Sequence, residues 1–342
     1  MLPLIGVTMG DPAGIGPEVV LKAALAAPRT CRLVVLGDLA ALTETALRLG
    51  SPLILVSWQP GDPYPAESNV LPVLVLSQLA ADARQPGRPT PVGGEASYGY
   101  VETGTRLALD NTLQGLVTAP ISKAMWHAAG HTYPGHTELL AALTGTAEVR
   151  MMLVSSRLRV ILVTTHMALA QVPAALSRER IVKTITMAAT HLSHFHRLCR
   201  PRLAVAGLNP HAGEDGAFGD EEQRIIAPAV RQAQSQGLAV DGPFAADTVF
   251  VRAVRGEFDG VVCLYHDQGL IPLKLLSWED GVNVTLGLPI VRTSPDHGTA
   301  FDIAGQSKAD PRSLQAAIAL AAEMTTLGTG IETETKTERL PD

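Results

Sequence analysis

Cysteine is scarce in this 342-residue chain, and Cys31, Cys199 and Cys263 stand at spacings that imply no disulfide framework. Cys263 falls inside an apolar run and reads as a small buried hydrophobe. Basic excess is also missing, since 27 Lys+Arg stand against 33 Asp+Glu for a net charge of −6 at pH 7. That balance excludes the footprint of a nucleic-acid binder, so a phosphorylated substrate would have to meet local cations. No stretch approaches 18 uninterrupted apolar residues, which excludes a membrane-spanning helix. The first four residues run straight into a strand without a charged leader, so the expected location is the cytoplasm. There is no internal repeat. The dinucleotide fingerprint is absent too, because Gly10, Gly14 and Gly16 fall as G-x-x-x-G-x-G.

What remains is an α/β pattern. The chain is 46% hydrophobic, enough for a large core and two lobes. Strands at 4–8, 32–37, 53–57 and 71–76 alternate with helices from Pro17 and over 39–49, the signature of parallel βαβ units. Segments 58–69 and 84–97, rich in Pro, Gly and polar residues, read as surface loops. Segment 177–199 reads as an amphipathic helix with Ser177 as N-cap and Ile181, Ile185, Ala188, Leu192 and Phe195 on one face. Its His191, His194 and His196, beside Arg197 and Arg200, read as a solvated face rather than a metal site. The polar tail 329–342 reads as frayed.

Three apolar runs end in histidine: Val160–Ile161–Leu162–Val163–Thr164–Thr165–His166, Leu203–Ala204–Val205–Ala206 leading to Asn209–Pro210–His211, and Val261–Val262–Cys263–Leu264–Tyr265–His266. Open α/β sheets bind ligands beyond the carboxyl ends of their strands, so three imidazoles delivered there form a candidate divalent-metal set. Taken singly, each also reads as a cap or turn residue. The turn at 10–18, with Pro17 suited to the first helical position, reads equally as an anion cradle and as a structural turn. His136 and Thr137 stand at a helix start, where Thr137 alone reads as the N-cap. Lys274, Asn283 and Arg292 stand in an apolar stretch, where long cations pair with an acid or meet an anionic ligand.

These runs, with Thr118–Ala119–Pro120–Ile121–Ser122–Lys123, residues 133–138, 207–214, 265–269 and 292–300, and Asp247–Thr248, together resemble the 4-hydroxythreonine-4-phosphate dehydrogenase family, NAD-dependent enzymes of pyridoxal phosphate biosynthesis. The resemblance covers nearly the whole chain apart from the tail. It implies an isocitrate/isopropylmalate dehydrogenase-like fold of two α/β/α lobes with mostly parallel sheets and an active site in the cleft between them. Residues 1–130 with 285–342 would form the cofactor-side lobe, and 131–284 the metal, substrate and dimerisation lobe. The resemblance makes His166, His211 and His266 the ligands of one divalent metal (zinc, cobalt, magnesium or manganese), with His266 supplied by the partner of a homodimer. His136 and Thr137 become substrate contacts, with Lys274, Asn283 and Arg292 added across the dimer. Lys274 is also a candidate proton shuttle. Asp247 and Asp267 are candidates for orienting the ligand histidines or joining the metal shell. His297, Gly298, Thr299, Ala300 and Asp302 resemble the cofactor loop of isopropylmalate and isocitrate dehydrogenases, with Phe301 where those relatives carry Pro. The implied reaction oxidises 4-phosphohydroxy-L-threonine to a 3-keto acid that loses carbon dioxide. A dehydrogenase of 4-phospho-D-threonate or 4-phospho-D-erythronate is the nearest rival. A non-catalytic metal- or phosphate-binding protein on the same scaffold is the third reading.

Overall fold

The computed structural model describes residues 2–26 and 30–328; the expectation for the tail 329–342 lies outside them. The strands are β1 (Leu4–Thr8), β2 (Arg32–Asp38), β3 (Ile54–Ser57), β4 (Val70–Ser77), β5 (Gly115–Thr118), β6 (Arg150–Val154), β7 (Arg159–Leu162), β8 (Leu203–Ala206), β9 (Val240–Phe244), β10 (Gly260–Cys263), β11 (Val282–Leu286) and β12 (Val291–Pro295). The α-helices are α1 (Gly16–Leu25), α2 (Leu39–Leu49), α3 (Pro91–Leu109), α4 (Lys123–Ala128), α5 (His136–Leu143), α6 (Val172–Ala175), α7 (Arg178–His196), α8 (Ala227–Ser235), α9 (Ala246–Val254), α10 (His266–Leu276) and α11 (Arg312–Gly328).

All twelve strands join one sheet in the order β3-β4-β2-β1-β5-β12-β11-β6-β7-β10-β8-β9. The fold is mixed α/β with a large, mostly parallel sheet, as the alternation of elements predicts. Pairing is parallel except at β12–β11, β11–β6 and β6–β7. Those successive antiparallel steps reverse the strand direction, so the parallel set on one side of the centre runs opposite to the set on the other. Where the sequence suggests one sheet per lobe, the sheet is continuous, because β12 returns from the far end of the chain to pair with β5.

The core that each residue joins alternates along the strands of the second half with the two-residue period of a pleated sheet. Val160, Leu162, Ala204, Val261 and Cys263 pack toward Val249 of α9 and Leu270 and Leu273 of α10. Ile161, Leu203, Val205 and Val262 join the main core with Ile181, Ile185 and Leu192 of α7. Both faces are therefore covered, which is why these strands read as unbroken apolar runs.

Two expectations are corrected. Segment 84–97 is not all loop: α3 starts at Pro91, capped by Thr90, whose hydroxyl accepts from the Gly93 N–H at 3.1 Å. Gly94 is a packing residue, since a Cβ there would lie 2.4 Å from the Met125 carbonyl oxygen of α4. In α7, Ser177 caps as expected, but His191 is buried, 7% exposed, against Phe195 and His196 rather than solvated.

Candidate active site

A cavity of about 840 Å³ lies over the middle of the sheet, where the two opposed halves meet. β6, β11 and β12 supply Arg150, Asn283 and Arg292; α5 supplies His136 and Thr137; α10 supplies Lys274; and His166 follows β7. One chain thus gathers Lys274, Asn283 and Arg292 with His136 and Thr137, whereas the resemblance places the first three across a dimer. The return of β11 and β12 into the centre of the sheet accounts for this. Gly135, not Thr137, occupies the N-cap of α5 with no side-chain cap, which leaves Thr137 on the cavity wall.

Arg292 is 2% exposed. Its Nε and Nη2 donate to Thr118 Oγ1 at 3.2 and 2.6 Å and its Nη1 to Thr285 Oγ1 at 3.0 Å, so hydroxyls are its only hydrogen-bond partners among the described residues. Burial pushes its pKa down to about 10, partly offset by the charge of Glu138, and it remains a cation at neutral pH. A buried cation without a counter-ion is costly, and an anionic ligand removes that cost. His136 is held neutral, well below the usual imidazole range, first by burial and then by Arg292 and Lys123. Its Nε2, the Oδ1 of Asn283 and the Nε2 of His297 are buried without a hydrogen-bond partner, and all three residues line this cavity. Buried polar groups are normally satisfied, so three orphans around one space mark where a polar ligand sits.

Sequence reasoning assigned no role to three further cations on this wall, Lys123, Arg150 and Arg180. Lys123 opens α4, and its charge lowers both His136 and His166. Gly135 leaves room for it: a Cβ there would lie 3.3 Å from Lys123 Cε and 3.6 Å from Glu138 Oε2. The signal available was the Ser122–Lys123 pair at a strand-to-helix junction. Lys274 is ion-paired with Asp296 at 3.0 Å and about a third exposed, not the desolvated amine that a proton shuttle suggests.

β7, β10 and β8 are parallel neighbours, so the three histidines do follow three adjacent strand ends. Thr164 stitches two of these ends together by donating its hydroxyl to the Leu264 carbonyl at 2.7 Å. The His166 and His266 rings lie 5.5 Å apart. Burial, then the charges of Lys123 and His266, lower His166 and favour the neutral imidazole that binds metals. His266 Nδ1 is 2.7 Å from Asp267 Oδ1, the carboxylate–imidazole contact that fixes a ligand ring. His211 does not join them. It sits on an exposed turn with Phe218 as its ring neighbour, and among the described residues no three His, Cys, Asp or Glu side chains are grouped to hold a metal. Asp247 and Asp267 line a separate groove between α9 and α10. Two imidazoles therefore fit a divalent transition metal, and a single chain leaves the shell incomplete.

The turn at 10–18 is structural. The N–H groups of Asp11, Ala13, Gly14 and Ile15 are taken by Pro120 O, Asp11 Oδ1, Asp11 O and Thr299 O. The last of these docks the 297–302 loop on the turn, and a Cβ on Gly14 would lie 3.0 Å from that carbonyl oxygen. A smaller pocket of about 210 Å³, lined by Ile15, Ala300, Ile303 and Asp310, shares Lys274, Asp296 and His297 with the main cavity. Asp302 is exposed beside it.

Fold and site define an α/β protein whose central cavity is built for a small anionic ligand, with two histidines and a second, adjoining pocket at hand. Residues 29–321 match the family described as pyridoxal phosphate biosynthetic protein PdxA, and the chain belongs to it. It is 50% identical to 4-hydroxythreonine-4-phosphate dehydrogenase of Geobacter metallireducens, covering 94% of this chain and 95% of that protein. It is 45% identical to D-threonate 4-phosphate dehydrogenase of Cupriavidus necator, covering 95% and 98%. The crystal structure of 4-hydroxythreonine-4-phosphate dehydrogenase from Klebsiella pneumoniae superposes with a TM-score of 0.85 at 42% identity, over 94% of this chain and 99% of that one.

Proposed function

We propose that this chain is an NAD- and metal-dependent dehydrogenase that oxidises the secondary alcohol of 4-phosphohydroxy-L-threonine to the 3-keto acid, which loses carbon dioxide to give 3-amino-2-oxopropyl phosphate in pyridoxal 5'-phosphate synthesis. The observation that carries this reading is Arg292: a buried, unpaired guanidinium ringed by orphan polar atoms asks for a substrate with fixed anionic groups. When bound, a divalent metal would supply Lewis-acid polarisation of the alcohol and NAD would accept the hydride.

The residues then divide the work. Arg292 and Lys123 neutralise phosphate and carboxylate, while Thr118 and Thr285 hold the guanidinium plane in place. Lys274, anchored by Asp296, fixes a third point of attachment where the cavity meets the smaller pocket. Neutral His136, with Thr137 and Asn283, orients the uncharged part of the substrate without adding like charge. His166 and His266 are the metal ligands of one chain, and Asp267 orients His266. The resemblance takes His266 from the partner, but with His166 and His266 side by side in one chain we assign the contribution of the second copy to His211, with Asp247 in support, so the working unit is a homodimer in the cytoplasm. His297, Gly298, Thr299, Ala300 and Asp302 are assigned to NAD. Residues 1–130 with 285–342 serve as the cofactor-side lobe and 131–284 as the metal, substrate and dimerisation lobe, consistent with α11 packing on β5 and β12.

The 45% identity to a D-threonate 4-phosphate dehydrogenase favours a second reading, with 4-phospho-D-threonate or 4-phospho-D-erythronate as substrate at the same site. The test is NADH formation by metal-loaded protein on the three substrates, with and without chelator. Preference for the amino substrate, lost on chelation, is expected. Preference for a sugar-acid phosphate establishes the second reading, and no NAD reduction on any of them overturns both.

A further inference from the structure

The turn that carries His211 has an unusual backbone. His211, Ala212, Gly213, Glu214 and Asp215 run consecutively at φ values of 53°, 53°, 87°, 42° and 53°, a left-handed stretch in which four residues bear a Cβ. Such a stretch persists only where its surroundings over-determine it. The residues that enter this stretch are anchored by Glu222, 3% exposed. Its Oε1 accepts from the N–H groups of Leu208 and Asn209, both at 2.7 Å, and its Oε2 accepts from Asn209 Nδ2 at 2.9 Å. Glycines make room for the carboxylate: a Cβ on Gly213 would lie 2.8 Å from Oε2, and one on Gly207 would lie 3.2 Å from Oε1. No Lys, Arg or His forms an ion pair with Glu222 among the described residues, so its backbone and amide donors are what hold it. Gln268 ties the same loop to the next strand end. It donates from Nε2 to the Gly207 carbonyl at 2.6 Å and accepts at Oε1 from the Leu264 N–H at 2.7 Å, two residues before His266.

We propose that Glu222 is a positioning residue that holds the His211 imidazole in place for the metal, with Gln268 pinning the start of that turn to the neighbouring strand end. The assignment rests on the reading of His211 as a metal ligand. Groups behind the ligands set ligand geometry, and losing one typically weakens metal binding by about 10–100-fold.

The test is cobalt(II) titration of the full chain, followed through the visible absorption of the bound ion, with far-UV circular dichroism to check the fold. His211→Ala is expected to lose the bound-cobalt band. Glu222→Ala is expected to weaken cobalt binding about 10–100-fold and to shift the band. Glu222→Gln, whose carbonyl oxygen can still accept from Leu208 and Asn209, is expected to restore most of the affinity, whereas Glu222→Met, which fills the same space without an acceptor, is not, and wild-type affinity in Glu222→Met overturns the positioning role. Wild-type affinity and spectrum in Glu222→Ala, with the band lost in His211→Ala, overturns the positioning role alone. A wild-type band in His211→Ala overturns the ligand reading and this inference with it. If Glu222→Ala does not fold, Asn209→Ala, which removes the amide donor to Glu222 and Glu221 and keeps the backbone donors, is expected to weaken cobalt binding several-fold, and unchanged affinity there overturns the proposal.

Discussion

At Arg292, binding and stability pull in opposite directions. An apolar residue of similar length removes a buried charge that no acid pairs with and Glu138 only partly offsets, and replacing buried charge with apolar volume is often neutral or stabilising by about 1–4 kcal/mol. Arg292→Met is therefore expected to keep or raise the melting temperature, although Thr118 and Thr285 lose their donor. Substrate binding moves the other way, because a hydrogen bond to a charged group contributes about 1.5–3 kcal/mol, so KM should rise at least tenfold. A large drop in melting temperature with unchanged KM would show that the guanidinium serves the fold alone. At Lys123 the two quantities separate. Among the described residues its exposed amine makes no hydrogen bond or ion pair, so Lys123→Met is expected to leave the unfolding free energy within about 0.5 kcal/mol of wild type. KM for the phosphorylated substrate should rise about tenfold, and a KM unchanged by the substitution would remove Lys123 from the anion-binding set.

Among the elements, α7 shows how far periodicity carries. Ile181, Ile185, Ala188 and Leu192 form the buried face that the helical spacing predicts. His191 is buried as well, because the last turn folds its aromatic and imidazole rings against one another near Arg159. Three histidines beside arginines look polar in sequence, and only the tertiary packing shows that two are desolvated. Burial lowers His191 to about 3 and His196 to about 4 from an ordinary value of 6.5, with neighbouring positive groups adding to the effect. Between those values and 6.5 the unfolded chain binds more protons than the folded one, so stability rises with pH across that window and levels off above it. Melting temperature should fall as pH drops from 7 to 4. His191→Leu should fall less steeply, and identical slopes for the two proteins would show that His191 is not linked to acid unfolding. The α3–α4 contact is a second element-scale case. Gly94→Ala places a methyl group against the Met125 backbone, and such overpacking costs about 1–3 kcal/mol. Because α4 also positions Lys123, KM should rise with the loss of stability.

For the whole molecule, local signals carried the element order and long-range pairing did not. Strand β1 and helix α2 coincide with their predicted spans because apolar runs and turn residues mark them. The place of β12 between β5 and β11, and the reversal of direction across β11 and β6, depend on residues far apart in sequence and leave no local pattern. The site divides in the same way. His136, Thr137, His166, Lys274, Asn283 and Arg292 were legible through motif resemblance, whereas Lys123, Arg150 and Arg180 sit at helix starts and strand edges where cations look solvated.

On the proposed homodimer, that global arrangement points to where a second copy would dock. One chain brings His166 and His266 together and leaves His211 on an exposed turn that packs against α9. Next to it, α9 and α10 present a groove in which Val251, Ile271 and Leu275 are 50%, 64% and 86% exposed. Contiguous apolar surface of this kind marks an interaction site, and a two-fold dimer would use the same patch on both chains. Charging the patch with Ile271→Asp and Leu275→Glu is expected to halve the mass measured by light scattering while circular dichroism stays unchanged. Turnover and metal retention should disappear together, because each shell then lacks the imidazole from the other copy. Inorganic phosphate should still bind the Arg292 cavity, which one chain completes without help. A monomer that keeps its metal would refute the shared site, and a dimer that survives both charges would refute this face as its interface.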